Sequence, residues 1–199
     1  SSETVPKISR DELRALPRTI TRLSVPSIDW RSVPIVVSDF PPHLKALVVL
    51  SAENMKAGDC AHLPAKSITE LEIAPSEPFG AQDELVHIAQ CSQLRQLRIG
   101  MVIPLDGATE VDFPIEFTQL TALRGLHIET ARRANFSQRS LRERLPPNLT
   151  SLTIAVPPAR SSDSWGPDAL DALPKTLRTL NSSWMHRGGP LAPENFRHL

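Results

Sequence analysis

Residues 113–128 read Phe113-Pro114-Ile115-Glu116-Phe117-Thr118-Gln119-Leu120-Thr121-Ala122-Leu123-Arg124-Gly125-Leu126-His127-Ile128. The last six hold an apolar residue, two variable positions, a second apolar residue, one variable position and a third apolar residue. In an extended chain Leu126 and Ile128 face one way while Gly125 and His127 face the other. The same phrase recurs along the chain as Ile20-Leu23-Val25, Leu44-Leu47-Val49, Ile68-Leu71-Ile73, Leu94-Leu97-Ile99, Leu149-Leu152-Ile154 and Leu177-Leu180-Ser182. First positions are separated by 24, 24, 26, 29, 26 and 28 residues. Self-similarity at such a period marks a stacked array of one supersecondary unit.

Most copies share a run-in. Leu16-Pro17, Phe40-Pro41, Leu63-Pro64, Leu145-Pro146 and Leu173-Pro174 precede five of them, with Cys91-Ser92 and Leu120-Thr121 in the other two. Proline has no N–H to donate, so it suits the approach to a strand better than its centre. With these residues in view the chain resembles the leucine-rich repeat family, whose core phrase is L-x-x-L-x-L-x-x-N/C. The resemblance runs from about residue 9 to the end and is nearest to the intracellular, plant-type repeat. It implies an α/β fold, a right-handed solenoid. The curved parallel β-sheet would form the concave face, with short helices and irregular returns on the convex face. One domain is expected over residues 1–199, with about seven repeats. Leu199 falls where another run-in would begin, and the first unit starts almost at once, so the chain reads as a segment of a longer solenoid.

The family's Asn or Cys is missing. Ile28, Ala52, Ser76, Val102, Ala131, Pro157 and Met185 stand at those positions, so no asparagine ladder can form. Backbone groups leaving the sheet must find other partners, and the expectation is irregular, proline-stiffened returns. Ser9-Arg10-Asp11-Glu12 has the form of a capping box. Residues 82–90 carry Leu85, Ile88 and Ala89 at helical spacing, and 137–143 and 167–173 also read as short helices. Segments 29–39 and 101–112 read as extended or irregular.

Twenty-two Lys and Arg balance 22 Asp and Glu. That zero net charge gives no bulk attraction to nucleic acid or to an anionic membrane. No run approaches the ~18 apolar residues of a membrane span, and residues 1–7 lack the apolar core of a signal peptide. Cys60 and Cys91 do not form the clusters that cap many extracellular arrays, which favours an intracellular setting. Cys91 occupies a core position and reads as a buried thiol. Asn135, Asn148 and Asn181 begin glycosylation patterns, and the expectation is that none is used.

Reaction chemistry is not apparent. A glycine-rich phosphate loop, a His-Glu-x-x-His helix and a Cys-x-x-Cys pair are all absent from the sequence, and its six histidines have no metal-ligand spacing. The chain therefore reads as a non-enzyme with no cofactor and no metal. Function is expected at the variable strand positions of the concave face: Arg22, Val48, Glu70, Glu72, Gln96, Arg98, His127, Glu129, Thr153 and Asn181. They divide into an apolar spot near Ala46, Val48 and Leu50, a charged middle, and a hydroxyl-rich end. An exposed Glu72–Arg98 pair across adjacent strands would itself stabilise little. Arg132, Arg133, Arg139, Arg142 and Arg144 form a second feature, expected on a solvated convex helix. The resemblance implies a scaffold for protein–protein interaction, with a protein partner and neither nucleic acid nor membrane. The alternatives are a substrate-recognition or regulatory segment of a larger enzyme, such as a ubiquitin ligase or signalling protein, and a purely structural solenoid.

Overall fold

Each copy of the phrase forms a strand in the computed structural model, which describes residues 6–51, 55, 58–73, 81–101, 114–130, 138–155 and 172–182. The strands are β1 (Arg22–Val25), β2 (Ala46–Val49), β3 (Glu70–Ile73), β4 (Gln96–Met101), β5 (Gly125–Thr130), β6 (Ser151–Ala155) and β7 (Thr179–Ser182). They make one sheet in chain order, and every pair is parallel. The register follows the repeat. Leu23, Leu47, Leu71, Leu97, Leu126, Leu152 and Leu180 form one row, and Val25, Val49, Ile73, Ile99, Ile128 and Ile154 form the next inward row, with Ser182 in register after Ile154. A slip of one residue would turn every one of these side chains to water, so the alternation enforces the pairing.

The run-in makes the turn that aims each strand. The carbonyls of Pro17, Pro41, Pro64, Pro146 and Pro174 accept the N–H of Ile20, Leu44, Ile68, Leu149 and Leu177, at 3.0–3.2 Å. In the fourth and fifth units Cys91 and Leu120 play two parts. Each donates its N–H to the end of the return segment before it (Ile88 and Phe117) and accepts the N–H of Leu94 or Leu123. One buried residue thus replaces the Leu-Pro pair, and the run-in is one residue shorter.

Just after each turn comes a lead-in residue: Thr21, Lys45, Thr69, Arg95, Arg124, Thr150 and Arg178. Its N–H bonds to the carbonyl of the equivalent residue one unit earlier, at 2.7–2.9 Å, and that carbonyl also accepts the next N–H in the same strand. Lys45 and Ala46 both donate to Thr21, and Arg178 and Thr179 both donate to Thr150. This ladder runs unbroken from the first unit to the seventh.

Beneath the sheet the described returns are short and varied. They comprise α1 (Arg10–Ala15), α2 (Ala81–Ile88), α3 (Gln138–Glu143), and 3₁₀ turns at Val37–Asp39, Asp59–His62 and Ile115–Gln119. Leu13, Cys60, Leu85, Ile88, Phe117 and Leu141 project from them into one core with the inward rows of the sheet. Full burial of such a side chain is worth roughly 1.5–3 kcal/mol relative to exposure. The capping box forms as expected: Glu12 N–H donates to Ser9 Oγ at 3.3 Å, and Ser9 N–H donates to the Glu12 carboxylate at 2.7 Å. The segment 29–39 is irregular and closes with the 3₁₀ turn at Val37. The helix expected over 167–173 lies outside the described residues except for Ala172 and Leu173, and the stretch expected to be extended or irregular over 101–112 lies outside them except for Met101, which ends β4. Cys60 and Cys91 are both buried and free, and burial pushes the Cys91 thiol up to about 11.

Two buried carboxylates tie the return segments to one another. Asp39 has no solvent exposure. Its oxygens accept from Arg10 Nε at 2.8 Å, Arg14 Nε at 2.6 Å and Val36 N–H at 2.8 Å, tying α1 to the next return. Glu84 of α2 is 1% exposed and accepts the N–H groups of Gly58 and Cys60, the second at 2.8 Å. It caps the 3₁₀ turn of the preceding return. Gly58 holds φ 96° there, a conformation that disfavours any side chain. Ile8 adds a strand-like pairing with Ile28 at the other end, its N–H bonding Ser27 O at 3.0 Å while Asp29 N–H returns to Ile8 O at 2.9 Å.

Asp39 makes the fold acid-sensitive. Burial raises its pKa, but the bonds from Val36, Arg14 and Arg10 outweigh burial and hold it below the usual carboxylate range. Its contribution is therefore complete above the unfolded value near ~4 and is lost as pH falls through the folded value. Asp39→Asn is expected to cost about 2 kcal/mol at neutral pH, the scale of a charged hydrogen bond. Urea melts across pH should show the gap to the wild type narrowing below pH ~4. A gap independent of pH would rule out this role.

Candidate functional site

Alternation leaves the odd-facing residues of every strand on an open face, stacked by the same register as the core. One row runs Arg22, Ala46, Glu70, Gln96, Gly125, Ser151, Thr179, and the other Ser24, Val48, Glu72, Arg98, His127, Thr153, Asn181. The face is hollowed into a groove of ≈ 320 Å³ that crosses six strands. Of the sequence-predicted residues, Arg22, Val48, Glu70, Glu72, Gln96, Arg98, His127 and Thr153 line it. Asn181 lies in the same row beyond Thr153, and Glu129 lies one position further along β5 than Ile128.

The charged middle is a network. Arg98 sits between Glu72, 3.0 Å from its Nη1, and Glu129, which bonds both Nε at 3.0 Å and Nη2. Hydrogen bonding to Glu129 raises the Arg98 pKa, and the same bond holds the Glu129 carboxyl below its ordinary value. His127 stands beside them, with Nε2 3.2 Å from Glu129 Oε1 but out of line for a hydrogen bond. Burial lowers the His127 pKa, and the Arg98 charge lowers it further against the pull of Glu129 and Glu72. Its Nε2 is buried in the groove wall and makes no in-line hydrogen bond there.

Two features escaped the sequence reading. Arg22 pairs with Glu70 two strands away, reaching across β2 because Ala46 occupies the intervening position. The Gln96 side chain lies over Gly125: a Cβ at 125 would stand 1.8 Å from Gln96 Oε1. Absence of a side chain at 125 thus gives Gln96 its place across the floor of β5. A lone glycine in a strand is the signal for such a close approach, but it does not name the partner. The expected apolar spot is present in part, with Ala46 buried, Val48 half-buried and Leu50 56% exposed at the end of β2.

The second sequence feature falls on the return side. Arg139, Arg142 and Glu143 lie on α3, where Arg139 pairs with Glu143 at 2.9 Å. Arg132 and Arg133 lie outside the described residues. Asn148 is exposed, but its amide nitrogen donates to Thr121 O at 2.9 Å. Asn181 is on the open face of β7, and Asn135 lies outside the described residues. Among the described residues no His, Cys, Asp and Glu side chains are grouped to hold a metal ion, and no helix is long and apolar enough to cross a membrane. No family model, curated protein or solved structure matches the chain.

Proposed function

We propose that this chain is a leucine-rich repeat solenoid, a single domain of about seven repeats, that serves as a non-catalytic scaffold and binds a protein partner through its concave face. The observation that carries the reading is the groove on the open face, whose side chains differ from strand to strand while their backbone support repeats. A ladder of this kind places many adjustable side chains on a rigid surface. The groove's charges are already paired with one another, so a partner must match their pattern to replace those pairs. Such a surface favours specificity over raw affinity.

The test compares the wild-type chain with a Glu72→Arg, Arg98→Glu, His127→Ala variant, first as baits in native extract and then against the purified captured protein by calorimetry. All three positions face solvent or are half-buried, so the circular dichroism spectrum should be unchanged. The variant is expected to bind about tenfold or more weakly, a loss of ~1.4 kcal/mol or greater. Equal affinity for the two chains would remove the groove from the binding surface.

A further inference from the structure

We propose that the lead-in edge of the sheet is a second docking surface, fitted to an extended, acidic segment of a protein partner. It goes beyond the groove reading and does not rest on it. The tracts that run from each turn to its lead-in residue are 17–21, 41–45, 64–69, 91–95, 120–124, 146–150 and 174–178. Together they hold Arg18, Lys45, Lys66, Arg95, Arg124, Lys175 and Arg178 and not one Asp or Glu, in a chain whose total charge is zero. All seven cations are exposed. Arg124 donates to Asn148 O at 3.1 Å, and among the described residues no carboxylate pairs with any of the seven.

The backbone ladder fixes the spacing of four of them, Lys45, Arg95, Arg124 and Arg178. Lys45, Thr69, Arg95, Arg124, Thr150 and Arg178 stand in single file, each N–H bonded to the residue before it. Neighbouring strands lie ~4.8 Å apart, so Arg95 and Arg124 are close neighbours and the file from Lys45 to Arg178 spans ~24 Å. Like charges at adjacent strand positions oppose the fold. An arriving anion relieves that repulsion.

The surroundings select the kind of anion. Glu70 follows Thr69 immediately, and Glu72 and Glu129 lie further along the strands. A broad polyanion such as a duplex or a lipid surface would meet those carboxylates. A narrow chain along the edge avoids them. The seven tracts contain no Phe, Trp or Tyr, so they offer no platform on which bases could stack. An extended peptide rises ~3.3 Å per residue, so about seven residues cover the file.

Fluorescence anisotropy of a labelled, short polyglutamate peptide against the full chain tests this. The expected result is salt-sensitive binding. It should weaken about tenfold or more in a Lys45→Glu, Arg95→Glu, Arg124→Glu variant and be unchanged in Arg142→Glu on α3. If the triple variant melts early, the single exposed changes Arg95→Gln and Arg124→Gln replace it, each expected to weaken binding measurably. Parallel arms use oligothymidylate and phosphatidylserine vesicles. The proposal fails if the peptide does not bind, if the edge variants bind it as the wild type does, or if the oligonucleotide or vesicle binds more tightly than the peptide.

Discussion

Leu126→Ala is expected to destabilise the chain by roughly 3–4 kcal/mol, within the range found when a buried leucine is truncated and its cavity only partly collapses. Leu126 is 2% exposed and sits in the inward row between Leu97 and Leu152. Because the strands above and below are held by the backbone ladder, they cannot close fully on the void. For a chain of this size such a loss lowers the melting temperature by roughly 6–15 °C. In a stacked array the damage falls on the two interfaces that flank the β5 unit. Thr153→Ala, in the neighbouring strand but on the open face, should stay within about 0.5 kcal/mol. Thermal and urea melts of the two variants check both values. A Leu126→Ala loss below about 1 kcal/mol would mean that the row is not a close-packed core.

Glu84→Ala should be nearly as damaging, at roughly 2–5 kcal/mol, by a different mechanism. Truncation leaves the N–H groups of Gly58 and Cys60 without their acceptor, and each unsatisfied buried donor costs about 1–3 kcal/mol. Glu84→Met fills the space but accepts no hydrogen bond, so it should rescue little. Glu84→Gln keeps one acceptor oxygen and should fall between. Hydrogen exchange at Gly58 and Cys60 separates this mechanism from simple loss of packing. Exchange at both amides should speed up in the Ala and Met variants, ahead of the strand amides. A variant that behaves as a surface substitution would show that these N–H groups have another partner.

The strands and their register were legible because period-two alternation repeated seven times leaves one face to bury, and Leu-to-Leu pairing follows from stacking equal units. The open-face residues followed from the same alternation, which is why Glu72, Arg98 and His127 meet where the sequence places them. What was not legible depended on contacts across units. Asp39 looked like a polar residue ending an irregular return, and nothing local announces that Arg10 and Arg14 reach it. Glu84 stands next to Leu85 of the apolar stripe of α2, and no local spacing announces its partners, which are backbone groups 24 and 26 residues earlier. The Arg22–Glu70 pair skips a strand, and so no nearest-neighbour rule finds it. Zero net charge concealed the cationic edge, since averaging over the chain removes the asymmetry that the ladder creates.

Carbodiimide labelling of carboxylates, read by mass spectrometry on the chain alone and in complex with its captured partner, tests the groove most directly. Glu70, Glu72 and Glu129 stand on the open face, whereas Glu143 lies on the return side in α3. A partner seated in the groove should protect the three open-face glutamates and leave Glu143 labelled as before. Protection of Glu143 with the other three unchanged would contradict it.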